Sequence, residues 1–202
     1  MSAQDDAERV HAETRAAWRA WLLAHAATAE RAWLVSWRSH TGRPVVGYDA
    51  AVTEALAVGW VDSVQRKVDE DRTMLYFCAR RRGSAWSRPN KVRVEALERE
   101  GLMTDAGRRV VEAAKADGSW TLLDDVEDLV VPPDLAEAFA RHPGAREHWE
   151  AFPRSPRRGI LEWVAQARRP ATRAQRVEQT AELAARGERA NQWPRPGREG
   201  AG

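Results

Sequence analysis

Cysteine is nearly absent: Cys78 is the single one in 202 residues, so no disulfide can close within the chain. Neither Cys78 nor the five scattered histidines have zinc-site spacing, and no structural metal and no cofactor are expected. A reducing, cytoplasmic setting fits such a chain. Lysine is scarce as well, limited to Lys67, Lys91 and Lys115, so positive charge is carried by arginine and its planar guanidinium. No apolar run approaches the length needed to cross a bilayer, and the opening MSAQDDAERVHAETRAAWRA has no apolar signal-peptide core. Neither membrane insertion nor secretion is expected. Gly-x-Ser-x-Gly, Gly-x-x-x-x-Gly-Lys and His-Glu-x-x-His are all missing, which removes the usual support for acyl transfer, nucleotide hydrolysis and zinc proteolysis. The formal charge of +2 does not by itself argue for nucleic acid.

What the chain has is tryptophan, ten of them against two tyrosines and three phenylalanines. Trp18, Trp21, Leu22 and His25 recur at helical spacing. Residues 32–37 alternate as a strand and end at the turn-forming Thr41-Gly42-Arg43-Pro44. Asp49 is placed to cap a short helix that Gly59 ends. Residues 60–67 and 73–79 read as a hairpin around Asp69-Glu70-Asp71, and helices follow over 92–100 and from Thr104 to about Asp117. Beyond the acidic stretch Asp124 to Asp128 and Val131-Pro132-Pro133 the chain reads as helical, with caps at Ser155 and Thr172.

The predicted fold class is α+β: a small antiparallel sheet with flanking helices, followed by an all-helical C-terminal region. The expected boundaries are a frayed N-terminus over 1–11, an α+β domain over 12–119, an acidic and proline-rich linker over 120–133, a helical domain over 134–188 and a disordered tail over 189–202.

Three motifs carry a resemblance. Gly59-Trp60-Val61-Asp62-Ser63, the run Ser84-Ala85-Trp86-Ser87-Arg88-Pro89-Asn90, and Ala167-Arg168-Arg169-Pro170-Ala171-Thr172-Arg173 follow one another along the chain. They are similar to the Gly-Trp-Ile-Asp-Gly, Ser-x-Trp-Ser-x-x-Asn and Ala-Lys-x-Pro-x-Thr-Arg patterns of the YdeI/OmpD-associated proteins. On these motifs the chain resembles that family from about residue 12 to 188. The resemblance implies protection against bacteriocins or association with an outer-membrane porin, and it brings no catalytic residues.

Each motif has chemistry of its own. Ser87 precedes a helix beginning at Arg88-Pro89, so free N–H groups and the positive end of the helix dipole lie near the arginines at 80–82, an arrangement suited to an anion. Equally, Ser87 is a plain cap, Trp86 a core side chain and the arginines a solvated face. Alternation puts Trp60 and Asp62 on one strand face, where Asp62 is either a desolvated acid or base or the partner of an arginine. Arg169, Arg173 and Arg176 surround another helix start. They either join the 84–90 loop in one cleft or neutralise the acidic stretch at 124–128. Trp60, Trp86, Trp120 and Trp149 sit at element ends, where an indole can line a pocket.

The reading adopted is a cytoplasmic binding and protection protein. It takes a small aromatic or anionic ligand in a Trp- and Arg-lined cleft between the two regions, through Trp60, Arg81, Arg82, Ser84, Trp86, Ser87, Asn90, Arg169, Arg173 and Arg176. An enzyme using Asp62 on an anionic substrate is one alternative. A nucleic-acid binder is another, opposed by the acidic stretch and the near-neutral charge.

Overall fold

The computed structural model describes residues 4–191, so the tail from Gln192 onward, expected to be disordered, lies outside the described residues. The chain divides between Thr121 and Leu122 into two compact units.

The first unit opens with β1 (Glu8–His11), then α1 (Arg15–His25), β2 (Arg31–Trp37) and α2 (Tyr48–Ala57). The hairpin β3 (Trp60–Lys67) and β4 (Arg72–Ala79) follows, then α3 (Arg88–Arg99) and α4 (Asp105–Ala116). The sheet order is β1-β2-β4-β3. The α+β class stands, with one difference from the expected sheet: β1 pairs parallel to β2, while the β2–β4 and β3–β4 pairs are antiparallel. Residues 8–11 are therefore a sheet edge and not a frayed end. The short Glu8–His11 segment has too few apolar residues to signal a strand, and pairing with β2 supplies what the local sequence does not.

The two faces of the sheet pack differently. Ala32, Leu34, Phe77 and Trp60 face α1 and α2 in the main core, where the Trp18 ring lies tilted against Phe77 and donates its indole N–H to the Ala51 carbonyl at 3.1 Å. Trp33, Val35, Met74 and Tyr76 form a smaller cluster on the other face. The segment before β1 closes over it: Trp33 Nε1 donates to the Gln4 carbonyl at 2.7 Å, and Arg66 lies over the Trp33 ring and bonds Gln4. Arg15 and Arg19 of α1 converge on Glu54, which is 2% exposed. A buried carboxylate needs such partners to offset its lost hydration.

Helix α4 is fixed against the end of α2 by Thr104. Its hydroxyl accepts from Gly107 N at 3.1 Å and donates to the Ala57 carbonyl at 2.7 Å. The approach is so close that a Cβ on Gly107 would sit 2.4 Å from the Ala57 carbonyl oxygen. At the α2–β3 turn, Gly59 adopts φ +83°, and a Cβ there would meet Val110 at 2.8 Å.

The second unit holds α5 (Asp124–Glu127), α6 (Pro133–Arg141), α7 (Ala145–Ala151), α8 (Arg154–Ala165) and α9 (Pro170–Ala185). Leu135, Phe139, Trp149, Ile160, Val164 and Ala181 are buried between them. The acidic stretch is not an extended linker: its first residues form α5, and Arg158 of α8 bonds both Glu127 and Glu162. Three caps differ from expectation. Gly47, Pro153 and Arg169 hold the N-cap positions of α2, α8 and α9, so Asp49, Ser155 and Thr172 lie inside first turns.

Candidate functional site

A cavity of about 250 Å³ opens in the first unit where the end of β4, the following loop and α4 meet the α2–β3 turn. Trp60, Arg81, Arg82, Ser84 and Trp86, five of the ten residues expected to bind ligand, line it together. The sheet places Trp60 at the start of β3, and α4 contributes Ala106, Arg109, Val110, Ala113 and, just past its end, Asp117.

The loop has a defined shape. Ser84 N bonds the Arg81 carbonyl at 3.2 Å, closing a tight turn in which Gly83 takes φ +70°. Gly83 N in turn donates to the Asp117 carboxylate at 3.2 Å. The Ser119 side chain and backbone N–H, then the Gly83 N–H and the Arg82 charge, hold the Asp117 carboxyl below the usual carboxylate range. Asp117 is therefore ionised at neutral pH and ties the loop to the end of α4.

Arg80 is the unusual group. Its guanidinium lies 3.8 Å from the centre of the Trp86 ring, and Nη2 donates to the Ala85 carbonyl. Its Nε and Nη1 are shielded from water and bond nothing. Burial pushes the guanidinium down to about 10, against a smaller opposing pull from Asp62, so it is still cationic at neutral pH. Trp86 is 1% exposed and leans on Trp120 at 4.9 Å, whose ring also lies near Lys91 and Lys115. Around the cavity stand Arg80, Arg81, Arg82 and Arg109 against a single acid, Asp117. Val58, Trp60, Trp86, Val110 and Ala113 make the rest of the wall apolar.

The other five expected residues are not among those that line the cavity. Ser87 occupies the N-cap of α3 without a side-chain cap bond, and its carbonyl receives Asn90 N and Lys91 N. Asn90 Oδ1 accepts from Arg93, which also grips Asp49, so its side chain serves α3 and not the cavity. Asp62 lies beside the bulge in β3, on the Trp60 face, and accepts from the Tyr48 hydroxyl at 2.9 Å. It is not among the cavity-lining residues.

In the second unit Arg169 is exposed at the N-cap of α9. Arg173 makes a two-pronged bond to Asp134 at 2.7 and 3.0 Å. Arg176 stacks on Trp163 and donates to its carbonyl. Arg173 and Arg176 are thus bonded within their own unit, and the charge of Glu127 is met by Arg158. Trp149 belongs to the core of this unit, against Phe139 and Phe152.

Fold and cavity together define a two-unit α+β protein with an arginine-rimmed, tryptophan-walled pocket in its sheet-bearing unit. The chain belongs to the family of the domain of unknown function DUF8412, whose model matches residues 10–110, half of its length. Residues 128–187 match the family described as "Bacteriocin-protection, YdeI or OmpD-Associated". The resemblance read over residues 12 to 188 therefore holds for the helical unit, while the Gly59 and Ser84 motifs fall in the other family's match. No curated protein and no solved structure matches the chain.

Proposed function

We propose that the protein is a binding protein that takes a small anionic ligand in the cavity of its first unit. One observation carries this reading: a half-buried arginine, Arg80, stacked on Trp86 at the cavity wall, with two shielded guanidinium nitrogens that have no partner. Donors buried without acceptors cost folding energy, and a desolvated cation without a counter-charge costs more. An anion seated among Arg80, Arg81, Arg82 and Arg109 would supply the counter-charge that this guanidinium lacks. The description of the second unit's family, bacteriocin protection, agrees with a protective role in which a ligand is sequestered. The cytoplasmic setting is part of the same reading, supported by the free Cys78.

A nucleic acid is a poorer fit, because the cations surround a concavity of single-ligand size and not an extended groove. Trp60 and Trp86 in the wall make the test direct. Titration of the full chain with phosphate or acetate at low ionic strength should quench tryptophan fluorescence saturably, and Arg80→Met should abolish the effect. Equal affinity in the two proteins would overturn the assignment of Arg80.

A further inference from the structure

The cavity is divided chemically. Arg80, Arg81 and Arg82, with the Gly83 turn, gather on its loop side. The α2–β3 turn and α4 supply an apolar stretch of wall, Val58, Trp60, Val110 and Ala113, beside which α4 also carries Arg109 and Asp117. A bare inorganic anion would use only the first side and leave the apolar wall in contact with water. The volume, 250 Å³, is that of about eight waters. That is room for one head group and a single ring, and less than the pockets of about 300 Å³ and upward that take drug-sized molecules.

From this division we infer that the ligand is a small amphiphilic anion, a carboxylate or phosphate monoester carried on one apolar ring. Its head group meets the guanidinium of Arg80 and the rim arginines, and its ring lies against Val110 and the Trp60 indole. The inference rests on the reading of the cavity as an anion site and adds the apolar half of the ligand to it. A carboxylate and a phosphate ester share the chemistry that the arginines recognise, planar or tetrahedral oxyanions that accept paired N–H bonds.

The aliphatic part of the wall gives the test its handle. Ala113 faces the cavity from a partly exposed position on α4, and leucine there is a good helix former that fills the space meant for the ring without replacing an arginine. Calorimetric titrations of the full chain at low salt with benzoate, phenyl phosphate, inorganic phosphate and neutral benzamide separate the contributions. Benzoate and phenyl phosphate should bind at least about tenfold more tightly than inorganic phosphate, and benzamide should not bind measurably. Ala113→Leu should lower the benzoate-to-phosphate affinity ratio by about tenfold.

Inorganic phosphate bound as well as benzoate, with the ratio unmoved by Ala113→Leu, would overturn the amphiphile while leaving the anion site standing. Benzamide bound as well as benzoate, or no anion bound at all, would overturn both. A circular dichroism melt of Ala113→Leu matching that of the parent chain ensures that a lost ratio reports on the cavity and not on α4.

Discussion

Replacing Arg80 by methionine tests whether the buried guanidinium holds the fold together or is held by it. The fall of its pKa from the ordinary arginine value to about 10 corresponds to about 3 kcal/mol of unfavourable desolvation carried by the folded state. Methionine keeps most of the side-chain volume and a favourable sulfur contact with the Trp86 ring, and it removes that cost. It also removes the cation–π contact at 3.8 Å, worth up to about 2 kcal/mol when desolvated, and the charged hydrogen bond to the Ala85 carbonyl, worth about 1.5 kcal/mol. The opposing effects nearly cancel, so the variant should be within about 1 kcal/mol of the parent, while truncation of a satisfied core group costs about 2–5 kcal/mol. In urea denaturation followed by tryptophan fluorescence, a change of that size moves the midpoint by about 0.5 M or less. The same variant should lose the shift in midpoint that saturating anion gives the parent chain. A loss above about 3 kcal/mol would refute the reasoning and make Arg80 a structural tie.

Trp86→Ala removes a side chain that is 1% exposed and packs on Trp120, and should cost about 3–5 kcal/mol, so loss of ligand binding in that variant reports on folding and not on the site. Gly107→Ala places a methyl 2.4 Å from the Ala57 carbonyl oxygen and should cost about 1–3 kcal/mol, whereas Gly159→Ala, in the middle of α8 with nothing within 4 Å, should gain about 0.5–1 kcal/mol; thermal melts of the two should move in opposite directions. The Arg173 guanidinium holds the Asp134 carboxyl below its usual range, so the pair's contribution is present above the unfolded carboxyl's pKa of about 3.9 and disappears as pH falls through the lower folded value. Arg173→Met should therefore melt slightly below the parent at pH 7, by less than about 1 kcal/mol for so exposed a pair, and the gap should close on acidification below pH 4; a constant gap would contradict the coupling.

Periodicity made most of the first unit legible. The alternation of Trp33, Val35 and Trp37 and the hairpin around Asp69 correspond to β2, β3 and β4, and Thr104 caps α4 as its position predicts. What local pattern could not show was anything settled by partners distant in sequence. Strand β1 exists through its pairing with β2, and Glu54 is buried because Arg15 and Arg19 reach it from another helix. Residue type marks Ser87 as a cap, yet its hydroxyl makes no cap bond, and Asn90 three residues on is taken by Arg93. The arginines at 168–176 looked like a second basic cluster because sequence displays charge but not neutralisation, and Asp134 and the Trp163 carbonyl engage two of them.

Arg80 stands among the arginines at 80–82 that the sequence marks for an anion, but its place against Trp86 is not legible from alternation. Continuing β4 from Phe77 would point Arg80 to the face opposite the main core, but the strand ends at Ala79, and the side chain turns back onto Trp86. Arg109 and Asp117 carried a signal of their own, since Ala106, Arg109, Val110, Ala113 and Asp117 recur at the three- and four-residue spacing of one helix face. That face meets the loop only because Gly59 and Gly107 let α4 approach the α2–β3 turn more closely than any side chain would permit. The cavity and its arginines thus depend on two glycines, of which Gly59 stands in the cavity lining and Gly107 outside it. A methyl at Gly107 should disturb anion binding as well as stability, by displacing Arg109 and Val110 together from the wall they share.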